Sequence, residues 1–228
     1  MKIDFRNVRT RWINVDKDTK KANLMVEMLD TLGFKNHERF SAVTNIKPHE
    51  GVRKGEEHYR NCAESHFKIL SETIIKDGEP VLILEDDVEY TEAITDFISP
   101  DKSNSPIEFP DDVDAIYLGT SHGDGKYEAE KQDDGWLLIQ KVFATHAILY
   151  LSKEYAEQTI EVGKQWIYER DIPFDVGMAY QLQPTKKVYA PVTPYFYQAD
   201  SKNEVNKWEG ITRTPLKIKD KFRLGTMR

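Results

Sequence analysis

The fold is decided by the stretch Val81-Leu82-Ile83-Leu84-Glu85-Asp86-Asp87, in which four aliphatic residues lead directly into three carboxylates. A short aliphatic run of this kind predicts a buried strand, of the sort found in parallel sheets. Ligands of open α/β sheets bind beyond the carboxyl ends of the strands. Three adjacent negative charges repel one another there, and a hard divalent cation, Mn²⁺ or Mg²⁺, would neutralise them. The alternative is a solvated acidic loop.

The composition is typical of a soluble globular protein. The chain has 228 residues, of which 39% are hydrophobic and 31% charged, enough for one sizeable domain. Its net charge of -7 argues against nucleic acid as the default partner, which stays an option that we do not favour. The N-terminal residues carry no apolar core segment, and no apolar run reaches the roughly 20 residues of a membrane span. We therefore expect no signal peptide, no membrane span and a cytoplasmic protein.

The cysteine count limits the metal and redox chemistry that the sequence predicts. Cys62 is the only cysteine, so an internal disulfide is excluded. A zinc site built from several cysteines is excluded for the same reason, and we expect no cysteine-based zinc site.

Strand and helix patterns alternate along the first half of the chain, and strands cluster later. Apolar runs predict strands over 11–15, 39–43, 81–84, 115–119, 136–140, 145–151 and 187–190, with the fifth and sixth forming a pair. Helical spacing predicts helices that end at Gly33 and Gly78, a helix that Ser152 begins, and a short helix over 174–182. Residues 99–112 and 121–134 have loop composition. We predict one α/β domain with a mixed central sheet over residues 1–207, followed by a basic tail over 208–228.

A set of segments stands in the order of one known family. They are Ile13-Asn14-Val15-Asp16, 38–43, Cys62-Ala63-Glu64-Ser65-His66 with the residues up to 70, 81–88, 145–152, Pro173-Phe174-Asp175, and Gln198 with Ser201. Together they resemble glycosyltransferase family 25, the lipooligosaccharide galactosyltransferases and their collagen-galactosyltransferase relatives. The resemblance runs from the first strand to Ser201. It departs at His58-Tyr59-Arg60-Asn61, where the family usually has Gly-Glu-x-Gly; Arg60 there either reaches a phosphate or is solvated.

What the resemblance implies is a GT-A-type, Rossmann-like domain that transfers a hexose, galactose or glucose, from a UDP-sugar with inversion. It also implies a divalent cation, Mn²⁺ or Mg²⁺. The acceptor hydroxyl would belong to a bacterial surface saccharide, as in lipopolysaccharide biosynthesis, to a protein side chain, or to a modified DNA base. The alternative is a non-catalytic nucleotide-sugar or glycan-binding protein of the same fold, which the departure at 58–61 favours.

The resemblance also assigns roles to individual residues. The metal ligands would be Asp87, assisted by Glu85, and in second place His146. The donor would contact Asn14, Asp16, His66, Glu85 and Asp86, and the acceptor would contact Gln198 and Ser201. Asp175 would be the base that deprotonates the acceptor, or else it caps a helix. His66 and His146 are alternatively core histidines, and the tail either folds over the diphosphate or is a solvated end.

A competing hypothesis is an aspartate-nucleophile phosphatase. The stretch Asp87-Val88-Glu89-Tyr90-Thr91 matches the phosphatase pattern loosely, but a glutamate stands where the second aspartate is expected. The acidic strand also comes late in the chain, whereas the nucleophile of those enzymes follows a very early strand. No glycine-rich phosphate loop is present in the sequence.

Overall fold

The computed structural model describes residues 1–47, 50, 58–97, 107–109, 111–120, 127–132, 136–192, 194–198 and 222–224. Its strands are β1 Lys2–Ile3, β2 Arg9–Asn14, β3 His37–Ser41, β4 Val81–Glu85, β5 Val88–Tyr90, β6 Ile107–Glu108, β7 Ala115–Tyr117, β8 Tyr127–Lys131, β9 Trp136–Lys141, β10 Ala147–Tyr150, β11 Val188–Pro191, β12 Phe196–Gln198 and β13 Phe222–Leu224. Its α-helices are α1 Thr19–Leu32, α2 Tyr59–Glu72, α3 Ile74–Asp77, α4 Glu92–Phe97, α5 Lys153–Lys164 and α6 Phe174–Gly177.

Nine of these strands form one mixed sheet in the order β13-β8-β9-β11-β7-β10-β4-β2-β3. Strand β4 pairs in parallel with β2 and antiparallel with β10, so the acidic stretch ends a central strand. Two smaller antiparallel pairs, β1 with β6 and β5 with β12, lie outside this sheet. The prediction of an α/β fold with a mixed central sheet is confirmed. The three described residues of the predicted basic tail form β13, which pairs with β8.

The two faces of the sheet bury separate hydrophobic clusters, because successive side chains of a strand point to opposite faces. On one face Ile83 packs with residues of α2 and α5, including Phe67 and Tyr155. On the other face Leu82 and Leu84 pack with Met25 and Leu29 of α1. The acidic side chains at the end of β4 also lie on different sides, since Glu85 contacts His66 of α2 and Asp86 contacts Lys21 of α1.

The predicted end of the first helix at Gly33 is confirmed. Asp18 caps α1 by accepting a hydrogen bond from the backbone N–H of Lys21 at 3.1 Å, and Gly33 ends it in the left-handed conformation at φ 75°. The second predicted helix is wrong in one respect, since α2 stops at Glu72 and a separate turn, α3, carries the chain to Gly78. Thr73 makes the break, with φ -117° and ψ -104°.

Two predictions about the second half of the chain are wrong. Strands β9 and β10 do not pair with each other: β9 lies between β8 and β11, and β10 lies between β7 and β4. Part of the predicted loop over 121–134 is strand β8, whose alternation is obscured by its three charged residues. The described part of the loop over 99–112 includes the two-residue strand β6.

Helices α5 and α6 both run on into wider turns. Residues Gln165–Glu169 continue α5, and Met178–Leu182 continue α6, with π-helical hydrogen bonding in each case. Gly177 makes this region compact, because a Cβ there would stand 2.7 Å from the Trp166 ring. Among the described residues, no helix has both the length and the apolar content needed to cross a bilayer.

Candidate functional site

Polar side chains gather beyond the carboxyl end of β4, around a cleft of about 170 Å³. The cleft lies between the start of α2, the connection from β9 to β10, the start of α6 and the end of β12. Its walls are formed by His58, Tyr59, Cys62, Ala144, Thr145, Pro173, Phe174, Asp175 and Gln198. Four separate parts of the chain therefore meet at this edge of the sheet, where an α/β fold places its ligands.

Glu85 is held in a fixed position by three side chains that all reach the same oxygen. Its Oε1 lies 3.1 Å from His66 Nε2, 2.7 Å from the Thr145 hydroxyl and 3.7 Å from Cys62 Sγ. Burial by itself would raise the pKa of Glu85, but the hydrogen bond and charge of His66 and the Thr145 hydroxyl hold that pKa well below its ordinary range. Glu85 is thus a fixed anion, and its Oε2 accepts no hydrogen bond from the described residues.

Asp87 is partly buried, and one of its carboxylate oxygens is buried and unsatisfied. Its Oδ2 accepts a hydrogen bond from Gln198 Nε2 at 3.3 Å, whereas Oδ1 is buried without a partner among the described residues. Burial and the charge of Glu85 raise the pKa of Asp87 to about 7, although the ammonium group of Lys21 acts in the opposite direction. A buried carboxylate oxygen with no donor costs free energy unless a proton or a cation satisfies it.

Asp86 points to the opposite face of the sheet, and both of its carboxylate oxygens have hydrogen-bond donors. It accepts hydrogen bonds from Asn14 Nδ2 at 2.7 Å and from Lys21 Nζ at 3.0 Å. Asn14 in turn accepts a hydrogen bond from Arg39 Nε at 2.8 Å. Arg39 also pairs with the exposed Asp16 at 2.6 Å, so Asp16, Asn14 and Asp86 belong to one network.

Asp175 lies in the cleft wall, one residue into α6. The N-cap of that helix is Pro173, so the alternative in which Asp175 caps the helix is wrong. Its Oδ2 accepts the backbone N–H of Ala144 at 3.3 Å, and its Oδ1 accepts that of Val176 at 2.9 Å. Burial raises the pKa of Asp175 in spite of these two hydrogen bonds, which strengthens it as a base.

Ala144 lies opposite Asp175 in an unusual backbone conformation. Its φ of 96° is in the left-handed region, which a residue with a Cβ rarely adopts. Backbone strain of this kind persists where the surrounding structure holds it, often at functional sites. Here it directs the Ala144 N–H at the carboxylate that lines the cleft.

His146 is fully buried just before β10, and its side chain lies against the end of β7. A Cβ on Gly119 would stand 2.2 Å from His146 Nε2, so only glycine leaves room for the ring. Burial lowers the pKa of His146 to about 4, although the charge of Glu85 and the carbonyl of Phe196 raise it. The imidazole is therefore neutral at physiological pH, and both of its nitrogens lack a hydrogen bond of good geometry within the described residues.

The departure from the family pattern at 58–61 has a structural explanation. Arg60 pairs with Asp171 at 2.9 Å, and the Tyr59 hydroxyl donates to the same carboxylate. Arg60 is thus not the solvated arginine of the alternative, whereas its contact with a phosphate stays a prediction. Its role is to tie the start of α2 to the chain segment before α6, where Asp171 adopts a left-handed φ of 56°.

Most of the residues that the sequence predicted lie around this one sheet edge. The residues at or beside the cleft are Glu85, Asp87, Asp175, His66 and Gln198. The adjoining network consists of Asn14, Asp16 and Asp86. Ser201 lies outside the described residues. The sequence analysis did not identify Lys21, Arg39 and Thr145 as residues of the site, because these residue types are common on protein surfaces and no motif marks them. It also missed Cys62, whose spacing of four residues from His66 on a predicted helix was the available signal.

Comparisons with known proteins find similarity among solved structures and none among family models or curated proteins. Among solved structures, the chain is similar to a glycosyltransferase involved in the glycosylation of the major capsid of PBCV-1. The identity is 14% and the TM-score is 0.43, over 90% of this chain and 98% of that chain. At such values the functional inference has to come from the residues of the chain itself, and the likeness to family 25 stays a resemblance.

Proposed function

We propose that the chain is a metal-dependent, inverting glycosyltransferase of the GT-A type, which moves galactose or glucose from a UDP-sugar to an acceptor hydroxyl. The acceptor would be a saccharide, a protein or a modified base. The observation that carries the proposal is the pair Glu85 and Asp87, each with a carboxylate oxygen that receives no hydrogen bond from the described residues, beside a cleft that also holds Asp175. The ordered resemblance to family 25 supports the same activity.

A divalent cation fits the donor set. The buried Oδ1 of Asp87 has no partner in the described part of the chain, and the oxygen ligands available at this edge suit Mn²⁺ or Mg²⁺. Asp87 and Glu85 would hold the ion, and the neutral imidazole of His146 is the remaining candidate ligand. When bound, the ion would stabilise the negative charge that builds on the diphosphate as UDP departs.

The remaining residues divide the work of binding and proton transfer. The nucleoside would be held by Asn14, Asp16 and Asp86, whose network lies on the side of β4 away from the cleft. Asp175 would accept the proton of the acceptor hydroxyl at its carboxylate. Its carboxylate lines the cleft, and inversion would need this base on the face of the sugar opposite the leaving group. Gln198 would orient Asp87 and contact the acceptor.

One observation favours the alternative, a non-catalytic nucleotide-sugar-binding protein. Both oxygens of Asp175 already accept a backbone N–H, so the carboxylate is partly committed to holding the strained Ala144 segment. A binding protein would keep the cation and the donor network but would not transfer the sugar.

The first experiment measures UDP and Mn²⁺ binding by thermal unfolding. UDP should raise the melting temperature only with Mn²⁺ or Mg²⁺ present, and a hundredfold excess over Kd stabilises the fold by about 2.7 kcal/mol. Asp87→Asn should abolish the metal-dependent shift and keep the fold. The control is Glu157→Gln, which removes a half-exposed carboxylate on α5 far from the cleft and should keep the full shift.

The second experiment separates the enzyme from the binding protein. A panel of UDP-hexoses is incubated with the chain and Mn²⁺, and released UDP is measured with and without candidate acceptors. A glycosyltransferase should release UDP slowly from its own donor, and faster with its acceptor. Metal-dependent UDP binding with no release from any donor would favour the non-catalytic alternative, and an Asp87→Asn variant with full metal-dependent binding would overturn the site.

A further inference from the structure

Cys62, His66 and Glu85 form a cluster that the proposed transfer reaction does not use as a unit. Their ligand atoms, one from each side chain, all lie within 4.8 Å of one another. Cys62 and His66 are one helical turn apart on α2, which places both on the same face of the helix. Glu85 ends β4, the central strand against which α2 packs. The cluster is therefore held by two rigid elements.

We propose that these three side chains form a binding site for a soft divalent cation of the zinc class, with thiolate, imidazole and carboxylate ligands. The fourth position would face the cleft, where Cys62 lines the wall. This reverses the expectation from the sequence that a chain with a single cysteine has no cysteine-based zinc site. The proposal does not require the chain to be a glycosyltransferase.

The spacing of the ligand atoms is close to that of a tetrahedral site. With ordinary zinc–ligand distances, a tetrahedron places nitrogen and oxygen about 3.3 Å apart, and sulfur about 3.5 Å from either. His66 Nε2 and Glu85 Oε1 are 3.1 Å apart, and Cys62 Sγ is 3.7 Å from the same oxygen. The separation of sulfur and nitrogen is at most 4.8 Å, and rotation of the Cys62 side chain would close any excess over the tetrahedral value.

The charges around Cys62 favour a cation over the free thiol. Burial and the negative charges of Glu85, Asp87 and Asp175 all disfavour a thiolate at this sulfur when no cation is bound. A thiolate there is stable only beside a positive charge, so binding of the ion would release the thiol proton to solvent. Thiolate and imidazole ligands select zinc-class ions over Mg²⁺ and Mn²⁺, which prefer oxygen.

Sharing of Glu85 links this site to the proposed hard-cation site. An ion held by Cys62 and His66 uses Oε1 of Glu85 and adds a second positive charge near Asp87. We therefore expect Zn²⁺ to compete with Mn²⁺. His66 Nδ1 is buried without a hydrogen-bond partner among the described residues, so the usual outer support of a metal-bound imidazole is missing and binding should be weaker than at a closed four-ligand site.

The test is a Co²⁺ titration of the full chain, freed of metals and kept reduced with a phosphine. Because Cys62 is the only cysteine, a thiolate-to-cobalt charge-transfer band can come from no other residue. We expect that band and tetrahedral d–d bands to saturate at one Co²⁺ per chain and to vanish when Zn²⁺ is added. His66→Gln and Glu85→Gln keep the thiol and should each weaken Co²⁺ binding at least about tenfold.

Controls separate this site from general metal binding and from the proposed function. His37→Gln removes a histidine that pairs with Asp30 away from the cleft, and it should leave the titration unchanged. Asp87→Asn should keep the charge-transfer band even though it loses the Mn²⁺-dependent UDP shift. Absence of the band in the wild-type chain would overturn the proposal. So would a band whose Co²⁺ affinity is unchanged in both His66→Gln and Glu85→Gln.

Discussion

Asp86 and Asp87 are neighbours in sequence, yet they lie in opposite kinds of environment on the two sides of β4. Asp86 faces α1, where Asn14 and Lys21 satisfy both of its oxygens. Asp87 lies on the side of the cleft, where Gln198 reaches one oxygen and nothing among the described residues reaches the other. One region is a completed polar network and the other is an incomplete one.

The difference distinguishes residues that shape the site from residues that await a ligand. Buried polar groups in native proteins nearly always have a hydrogen-bond partner. A buried polar atom without one, an orphan, is therefore informative, and more so when neighbouring polar atoms also lack partners. On the cleft side the orphans include Asp87 Oδ1, His66 Nδ1 and both nitrogens of His146, and they gather at one sheet edge. This concentration of incomplete contacts is what makes the edge a candidate for binding a cation.

The largest effect should come from Asp175. It lines the cleft, as the incomplete region does, but both of its oxygens accept hydrogen bonds, as in the completed network. Asp175→Asn keeps the shape of the side chain and removes its capacity to take a proton. Sugar transfer should fall about 10²- to 10⁴-fold, the usual contribution of a general base. The measurement is UDP release in the presence of acceptor, alongside Mn²⁺-dependent UDP binding, which should stay unchanged.

The pH dependence of transfer gives a second test of Asp175. Since burial raises its pKa, the wild-type rate should fall on the acidic side as this carboxylate takes up a proton. Normal turnover in Asp175→Asn would assign Asp175 to the structural role of holding Ala144 and would place it with the completed network.

The next effect should appear at Gly119, on the incomplete side. A Cβ there would meet His146 Nε2 at 2.2 Å, and the ring is fully buried, so it cannot swing into solvent. Gly119→Ala should lower the free energy of unfolding by about 2–3 kcal/mol. Gly78→Ala is the matched control, because its φ of 79° strains an alanine but open space surrounds it, and it should cost about 1 kcal/mol. Equal losses in a urea titration would show that the His146 packing is loose.

Replacing each of the two neighbouring aspartates by asparagine should change stability in opposite directions. Asp87→Asn removes a buried charge that repels Glu85, and without added metal it should stabilise the fold at pH 8 by about 1–3 kcal/mol. Asp86→Asn weakens its contacts with Asn14 and Lys21, and it should destabilise the fold by about 1–2 kcal/mol. Chemical denaturation of both variants at pH 8 measures this comparison directly.

The sign of the pH dependence follows from the raised pKa of Asp87. Its folded-state pKa of about 7 lies above its ordinary value of 3.8, so the stabilising effect of its protonation is fully present below pH 3.8 and is lost as the pH rises through 7. The advantage of Asp87→Asn should therefore shrink from pH 8 to pH 5. A constant advantage over that range would mean that Asp87 stays charged when folded.

Binding of Mn²⁺ without UDP should displace the proton that Asp87 carries in the folded chain. Because the ion and the proton compete for the carboxylate of Asp87, Mn²⁺ should raise the melting temperature more at pH 8 than at pH 6. In Asp87→Asn the difference between the two pH values should disappear. An equal Mn²⁺ shift at both values in the wild-type chain would place the ion elsewhere.

The sequence predicts the completed elements of the fold well, because their signals are local. The aliphatic run 81–84 gives β4, Asp18 and Gly33 bound α1, and Ser152 begins α5 by accepting the N–H of Tyr155. These features depend on side chains within a few residues of one another. The acidic triplet also identifies the correct end of the correct strand, since chain direction alone fixes which residues follow it.

What the sequence does not predict depends on contacts between distant segments. The pairing of β5 with β12 brings Gln198 to Asp87, and 111 positions separate these two residues. Strand β8 is obscured by its charges, and the separation of β9 from β10 is decided by β11 and β7, which come from other parts of the chain. The position of Cys62 between three carboxylates follows from the packing of α2 on the sheet, for which the sequence shows only the spacing to His66.

The smallest effect should be at Asp16, on the exposed rim of the completed network. Ser41 and Arg39 donate to it and lower its pKa, but it is largely solvated, so Asp16→Asn should leave the melting temperature unchanged. If Asp16 contacts the nucleoside, the variant should bind UDP about tenfold more weakly, since one hydrogen bond to a charged group is lost. Calorimetric titration with UDP and Mn²⁺ measures this. Unchanged UDP affinity would mean that the network only supports Asp86, and that the nucleoside lies on the cleft side with the orphaned atoms.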